Sequence, residues 1–232
     1  MAAAAAPVVS ELELLEPPVR PGKIICIGLN YKDHAEESGL TVPEQPMLFA
    51  KLPSSVIGSG HPVRLPSISS RVDFEAELGV EIGRPARAVS EQEALDHVAG
   101  YTCVNDVSAR DLQLGDGWIR GKGLDTFCPL GPTIASPEHV GDPQALSIRC
   151  LLNGAVVQES TTAAMIFSVA EIVSFVSQAI TLECGDLICT GTPAGVGMAR
   201  TPKLFLNDGD RVRVEIDRIG AIENPVVGGS AS

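Results

Sequence analysis

The sequence predicts an α+β fold in which strands dominate, and three observations carry that reading. Short apolar runs of strand length recur along the chain, separated by glycine and proline, of which there are 23 and 17. Residues 72–83 alternate apolar and polar without a break, the pattern of a half-buried strand. Few stretches read as helix, and two of them open with a Ser-x-x-Glu capping box, Ser90/Glu93 and Ser168/Glu171. The 232 residues fit one domain, large enough to bury roughly 70% of the unfolded chain's surface.

Taken in order, residues 1–22 are rich in alanine and proline and end in Pro-Pro-Val-Arg-Pro-Gly, which predicts a poorly ordered lead-in. A folded body spans 23–228, followed by a short tail at 229–232. Lys23–Leu29 reads as a short buried strand. Tyr31–Ser38 lacks glycine and proline and is closed by Gly39, so a short helix is expected. Pro43–Pro66 reads as loop with an apolar piece at Met47–Ala50. In 72–83, Phe74, Ala76, Leu78, Val80 and Ile82 share one face, while Asp73, Glu75, Glu77 and Glu81 share the other. The Ser90 box starts a helix running through His97, and Tyr101–Asn105 is the next strand, ending at Asp106. Leu146–Gln158 predicts a hairpin turning at Asn153-Gly154, a strong short hairpin signal. After Ser168, Ile172, Phe175, Val176 and Ala179 mark one helical face. Leu187–Thr190 is a strand that runs into a glycine-rich turn, and Arg211–Asp217 is the last strand.

Charge and cysteine usage exclude several function classes. The net charge of −12 opposes nucleic acid and anionic membranes, which need clustered Lys and Arg. No apolar run reaches the length of a membrane span. The six cysteines, at 26, 103, 128, 150, 184 and 189, contain no Cys-x-x-Cys and read as small buried hydrophobes in a reducing compartment. The N-terminus has no basic residue before Arg20, so no secretory or mitochondrial signal is expected. The expected location is the cytoplasm.

Candidate chemistry is concentrated in a few places. Glu75 and Glu77 lie on one strand face ~6.5–7 Å apart. A cation between them would relieve their repulsion, and Asp106 at the end of a later strand would complete a three-carboxylate set. All-oxygen ligands favour Mg²⁺, Mn²⁺ or Ca²⁺ over zinc. By spacing alone, the wet face of a strand is the simpler explanation of the two glutamates. His34 and Glu37, three apart on a helix, share a face, so the carboxylate can orient the imidazole as a base; alone, such a pair is more often a surface feature. Gly191-Thr-Pro-Ala-Gly195-Val-Gly197 lacks the lysine of a phosphate loop and opens no helix. A turn whose Thr192 hydroxyl and backbone N–H groups hold a carboxylate fits better. Lys122 sits between two glycines, where its ammonium can enter a site or remain solvated.

Six segments, in order, resemble the fumarylacetoacetate hydrolase family: Ile27-Gly-Leu-Asn-Tyr-Lys-Asp-His34, Val72-Asp-Phe-Glu-Ala-Glu-Leu-Gly-Val80, Asn105-Asp-Val-Ser-Ala-Arg-Asp-Leu-Gln113, Asp125-Thr-Phe-Cys-Pro-Leu-Gly-Pro132, Met165-Ile-Phe167 and Thr190-Gly-Thr-Pro-Ala-Gly-Val-Gly197. The resemblance covers about residues 23–227 and implies a mixed β-roll, a homodimer and one divalent metal, Mg²⁺ or Mn²⁺, per subunit. It implies Glu75, Glu77 and Asp106 as metal ligands, and His34 with Glu37 as a catalytic dyad on a lid. It further implies Lys122 facing the substrate's oxo or carboxylate oxygens, and Arg110, Gln113 and Thr192 as substrate contacts. Three departures stand out. Glu81 replaces an apolar residue, Gly123 follows the lysine where Ser or Thr is usual and predicts a looser loop, and no counterpart of the N-terminal domain of longer members is expected, as in the short members or from a different start site.

The activity this implies is metal-dependent cleavage of a C–C bond in a small oxo acid, an acylpyruvate or fumarylpyruvate, through a metal-stabilised enolate. Oxaloacetate decarboxylation and 2-hydroxyhepta-2,4-diene-1,7-dioate isomerisation pass through the same enolate, as does tautomerisation, and stand as alternatives on the same site. An inactive, metal-stabilised binding protein is the reading from a different class. His34, Glu37 and Lys122, which a binder would not need, favour an enzyme.

Overall fold

Ten strands of three residues or more build two five-stranded sheets in the computed structural model, which describes residues 16–113 and 118–228. The strands are β1 (Ile24–Gly28), β2 (Met47–Lys51), β3 (Val63–Leu65), β4 (Ala76–Ile82) and β5 (Val98–Asn105), then β6 (Ser147–Leu152), β7 (Ala155–Thr161), β8 (Leu187–Cys189), β9 (Arg211–Ile216) and β10 (Gly220–Gly228). The helices are α1 (Lys32–Ser38), α2 (Glu91–Ala94), α3 (Ile119–Lys122), α4 (Pro137–Val140) and α5 (Val169–Ala179). The first sheet runs β2-β1-β8-β4-β5 and the second β7-β6-β9-β10-β3. Each is mixed: β1 pairs parallel with β8 and β10 parallel with β3, while the other pairings are antiparallel. This is the strand-dominated α+β architecture expected.

The first sheet is covered on both faces, which explains why β1 (IICIG) is apolar and buried at every position. Ile25 and Ile27 join the main core with Leu78 and Val80 of β4, Ile148 of β6 and Val214 of β9. Ile24 and Cys26 face a smaller cluster with Val104, Cys128, Leu130, Leu187 and Cys189. Five of the six cysteines are buried and none is bonded to another; Cys184 is exposed.

Local signals act as the sequence predicts in several places. Gly39 closes α1 in the left-handed region at φ 63°. Asn153 and Gly154 both take positive φ, 53° and 81°, the backbone a two-residue hairpin turn demands. Both capping boxes form, and α2 continues through His97 as a 3₁₀ turn. In α5 the buried face is Val169, Ile172, Val173 and Val176, so Phe175, half-buried, and Ala179, exposed, lie outside it.

Three expectations change. The stretch 72–83 is not one half-buried strand: it breaks at Phe74–Glu75, with Val72–Asp73 pairing instead with Ser108–Ala109. Its polar face is not wet at the two glutamates, because Glu75 and Glu77 are 5% and 1% exposed. Met47–Lys51, expected in loop, is the edge strand β2. The strand β10 was not expected after β9; Pro225 argues against a strand, but it pairs with Arg211 at the terminus of β9. Residues 1–15 of the expected lead-in and the tail at 229–232 lie outside the described residues. Among the described residues no helix is long and apolar enough to cross a membrane.

Candidate metal and acid–base site

The three carboxylates meet because of strand register. In the β4–β5 pair Ala76 is opposite Asn105, so Glu75 and Asp106, one residue beyond each, fall side by side; Asp106 N–H donates to the Glu75 carbonyl at 2.9 Å. Asn105 adds a clamp, its side-chain oxygen accepting from Glu75 N–H at 3.0 Å. Glu77 follows on the same face as Glu75 by the two-residue strand period. One oxygen from each of Glu75, Glu77 and Asp106 lies within 4.8 Å of the others.

The turn after β8 carries carboxylates, as its sequence suggests, but they are the protein's own. Gly191 N–H donates to Glu77 Oε2 at 2.9 Å and Gly195 N–H to Glu37 Oε1 at 2.9 Å. Gly191 has φ +97°, and a Cβ there would meet Asn30 Cβ at 2.7 Å, so only glycine fits. Asn30 joins three of the quoted segments: its amide donates to the Thr190 and Phe167 carbonyls at 2.7 and 3.0 Å, and its oxygen accepts from Phe167 N–H at 2.8 Å. Thr192 lines the pocket, yet its hydroxyl donates to the Ala76 carbonyl at 2.9 Å and accepts from Gln158 Nε2 at 2.8 Å. That hydroxyl holds the turn against β4.

Lys122 ends the single-turn helix α3. Its Nζ lies 2.6 Å from Glu75 Oε2, 2.8 Å from Asp106 Oδ2 and 5.1 Å from the centre of the Phe49 ring. The turn is not loose at Gly123: its N–H donates to the Ile119 carbonyl at 2.8 Å, and a Cβ there would meet Leu52 Cγ at 3.2 Å. Arg110 Nε donates to Asp73 Oδ2 at 2.9 Å and its Nη1 to Gln113 Oε1 at 3.2 Å. His34 Nδ1 is 3.3 Å from Glu37 Oε2, so the helical pair forms. Glu81 pairs across β4 with Gly100 and Leu187 and does not line the pocket.

Eight of the nine nominated residues, all but Asp106, line one pocket of about 500 Å³ together with Ile27, Met47, Phe49, Trp118 and Met198. Asp106 is fully buried beside it. Sequence reasoning missed two further ionised groups. Lys51, 2% exposed at the end of β2, places Nζ 2.5 Å from Asp106 Oδ1. Asp73, fully buried, holds Arg110. A lone lysine closing an apolar run has no periodicity to expose it; Asp73 was visible only as part of the polar face of 72–83.

Burial and mutual charge shift the groups of the cluster in opposite directions. Burial pushes the Glu75 carboxyl up, but the Lys122 and Arg110 charges outweigh it and hold it at about 2. Burial first, and then the Asp106 and Glu75 charges, push Glu77 well above the usual carboxylate range. Burial disfavours the Lys122 ammonium, yet Asp106 and Glu75 raise it above an ordinary lysine. Four carboxylates, Asp73, Glu75, Glu77 and Asp106, face three cations, Lys51, Arg110 and Lys122. Three hard oxygen donors within reach of one another, one of them disfavoured as an anion until further positive charge arrives, fit a divalent ion of the Mg²⁺ or Mn²⁺ type.

The comparisons with known proteins place the chain in a family. The family described as fumarylacetoacetate (FAA) hydrolase C-terminal matches residues 23–227. An oxaloacetate tautomerase of Xenopus laevis, named as mitochondrial, is 48% identical over 221 residues, covering 94% of this chain and 69% of that protein. The 2-hydroxyhepta-2,4-diene-1,7-dioate isomerase from Mycobacterium marinum superposes with a TM-score of 0.82 at 44% identity, over 93% of this chain and 78% of that one. The fumarylacetoacetate hydrolase of Exiguobacterium antarcticum reaches 0.85 at 39% identity, over 96% and 80%. On its sequence and its fold, the chain belongs to the fumarylacetoacetate hydrolase family of enzymes.

Proposed function

We propose that the protein interconverts the enol and keto forms of a small 2-oxo diacid of the oxaloacetate kind, with a divalent cation held by Glu75, Glu77 and Asp106. The observation that carries this reading is the presence of the His34–Glu37 pair and the Lys122 ammonium in one pocket with the three-carboxylate cluster. When bound, the cation supplies Lewis-acid stabilisation of negative charge on the substrate's oxo oxygen.

Tautomerisation breaks one O–H bond and makes one C–H bond, so it needs proton carriers at two atoms and no entering water. His34, oriented through Nδ1 by Glu37, leaves Nε2 to take the enol O–H proton and return it to the carbon next to the oxo group, so one base serves both atoms. Lys122 holds the oxo oxygen by hydrogen bonding, as a cation already stationed at Glu75 and Asp106. Arg110 and Gln113 take the distal carboxylate. A divalent ion would add positive charge beside the pocket, which suits an anionic substrate. Pocket residues Ile27, Met47, Phe49 and Trp118 keep water from competing.

Likeness to the Xenopus tautomerase and the mycobacterial isomerase supports proton transfer over the acylpyruvate cleavage read first from the sequence. Decarboxylation and cleavage share the enolate and remain second to it. The deciding experiment supplies enol-oxaloacetate to protein with Mg²⁺ and follows loss of enol absorbance. Parallel assays follow CO₂ from oxaloacetate and acetate from acetylpyruvate. The expected result is enol decay well above buffer with little of the other products. Enol decay at the buffer rate, with acetylpyruvate cleaved, would overturn the reading in favour of the hydrolase.

A further inference from the structure

Asp73 is fully buried and absent from the pocket lining, yet it joins two parts of the pocket wall. Its Oδ1 accepts from the N–H groups of Phe74 and Gly197 at 2.9 and 2.8 Å. Its Oδ2 accepts from Met198 N–H and Arg110 Nε, both at 2.9 Å. A carboxylate offers about four lone-pair sites, so Asp73 has none left for a metal or a substrate. Whatever it contributes passes through Arg110 and the Gly197–Ala199 turn. Both reach the pocket, the turn through Met198 and Ala199. The contact with the turn leaves no slack, since a Cβ on Gly197 would fall 2.6 Å from Asp73 Oδ1 and collide with the Leu204 carbonyl.

With Nε held by Asp73, the two Nη groups are the part of Arg110 left to the pocket. Nη1 donates to Gln113 Oε1 at 3.2 Å. Nη2 forms an ion pair with Glu75 Oε1 at 2.7 Å but without the alignment of a hydrogen bond, which leaves a buried donor without a hydrogen-bond acceptor among the described residues. A buried guanidinium donor whose hydrogen-bonding capacity is not filled, in the wall of a pocket, is matched by an anionic ligand oxygen.

We propose that Asp73 is the positioning residue that sets this site's preference for dicarboxylates over monocarboxylates. By fixing Nε it holds the guanidinium plane at one angle, so that the Nη edge meets the ligand's second carboxylate. By holding Gly197 and Met198 it keeps the adjoining wall at a matching distance. A planar fork binds a carboxylate well only in a narrow range of orientations. Without that lock the charge of Arg110 remains but its aim is lost. The identity of the ligand rests on the oxo diacid reading above; the lock itself rests on the geometry alone.

The test uses binding, so that it does not depend on which reaction the enzyme performs. Calorimetry compares 2-oxoglutarate with 2-oxopentanoate, which share the oxo acid end and chain length and differ only in the distal carboxylate. Both are titrated with Mg²⁺ present. Wild type is expected to prefer the diacid. Asp73→Asn keeps the shape but turns an NH₂ toward donors, and should weaken the diacid about tenfold or more while leaving the monoacid within about twofold. In an Arg110→Met background Asp73→Asn should add nothing to the preference. Arg110→Lys keeps the charge without an Nε to lock, leaves Asp73 intact, and should lose the preference too; it serves where Asp73→Asn does not fold. A merely structural Asp73 would weaken both ligands together. That result, a preference that persists in folded Asp73→Asn or in Arg110→Lys, or no preference in wild type would overturn the proposal. Enol decay with oxaloacetate tests the tautomerase reading separately.

Discussion

The ammonium of Lys51 lies 2.5 Å from Asp106 Oδ1, and both side chains are fully buried. The second N–H bond of that ammonium goes to the Val107 carbonyl at 3.1 Å. Lys51 therefore engages one oxygen of Asp106 while Lys122 engages the other. Edge strand β2 thus reaches into the charged centre of the site.

Breaking that pair from one side leaves a buried carboxylate short of its counter-charge, at a cost of about 3–5 kcal/mol. Lys51→Met should lose stability of that order in urea denaturation. Adding Asp106→Asn should restore part of it, because the stranded charge is then gone. A loss below about 1 kcal/mol, the size of an exposed pair, would show that water reaches the pair.

Glu75→Gln and Glu77→Gln should each weaken Mn²⁺ binding, read by paramagnetic resonance of the free ion, whatever they do to turnover. In wild type, Mg²⁺ at about 100 times its dissociation constant should add about 2.7 kcal/mol of stability. Excess chelator should remove both the added stability and the activity. Full activity in chelator, with no metal by elemental analysis, would refute the cation assignment.

His34→Ala should slow tautomerisation by about 10²–10⁴-fold, the usual contribution of a positioned acid–base group. Glu37→Gln should act in the same direction more mildly, since it removes the negative partner of Nδ1 while its amide oxygen can still accept from Gly195 N–H. Circular dichroism checks the fold of each variant. A His34→Ala rate within about twofold of wild type would return His34 to the status of a rim residue.

Gly197→Ala forces a methyl into the Leu204 carbonyl and against Asp73. Overpacking of that kind costs about 1–3 kcal/mol, here with backbone that cannot step aside. The expected result is a lower urea midpoint and weaker diacid binding. Unchanged stability would mean that the turn has freedom its contacts do not show.

Light scattering should give twice the 24.3 kDa subunit mass, the homodimer that family resemblance implies. Edge strand β2 and its neighbours expose Met47, Leu48, Leu52 and Ile119, an apolar edge that a second copy would cover. A monomer mass over a wide concentration range would exclude it.

By itself the sequence determined the features that act locally or by chemical type. The Asn153-Gly154 hairpin, the two capping boxes, the closure of α1 at Gly39 and the buried β1 all follow from the preferences of a few adjacent residues. Glu75 and Glu77 share a face because the strand period is two, and His34 and Glu37 meet because the helical spacing is three. Only the tertiary structure decided what those groups face. Alternation says that 72–83 has a polar side, but not that a second layer covers it, so Glu75 and Glu77 are buried where a wet face was the simpler expectation. Register between β4 and β5 brought Asp106 to Glu75, and packing of β2 brought Lys51 across 55 positions to Asp106. Asp73 became the link between Arg110 and the Gly197 turn in the same way. The physical reason is common to all of them: burial and charge pairing depend on partners distant in the chain, and a residue's own neighbours carry no record of those partners.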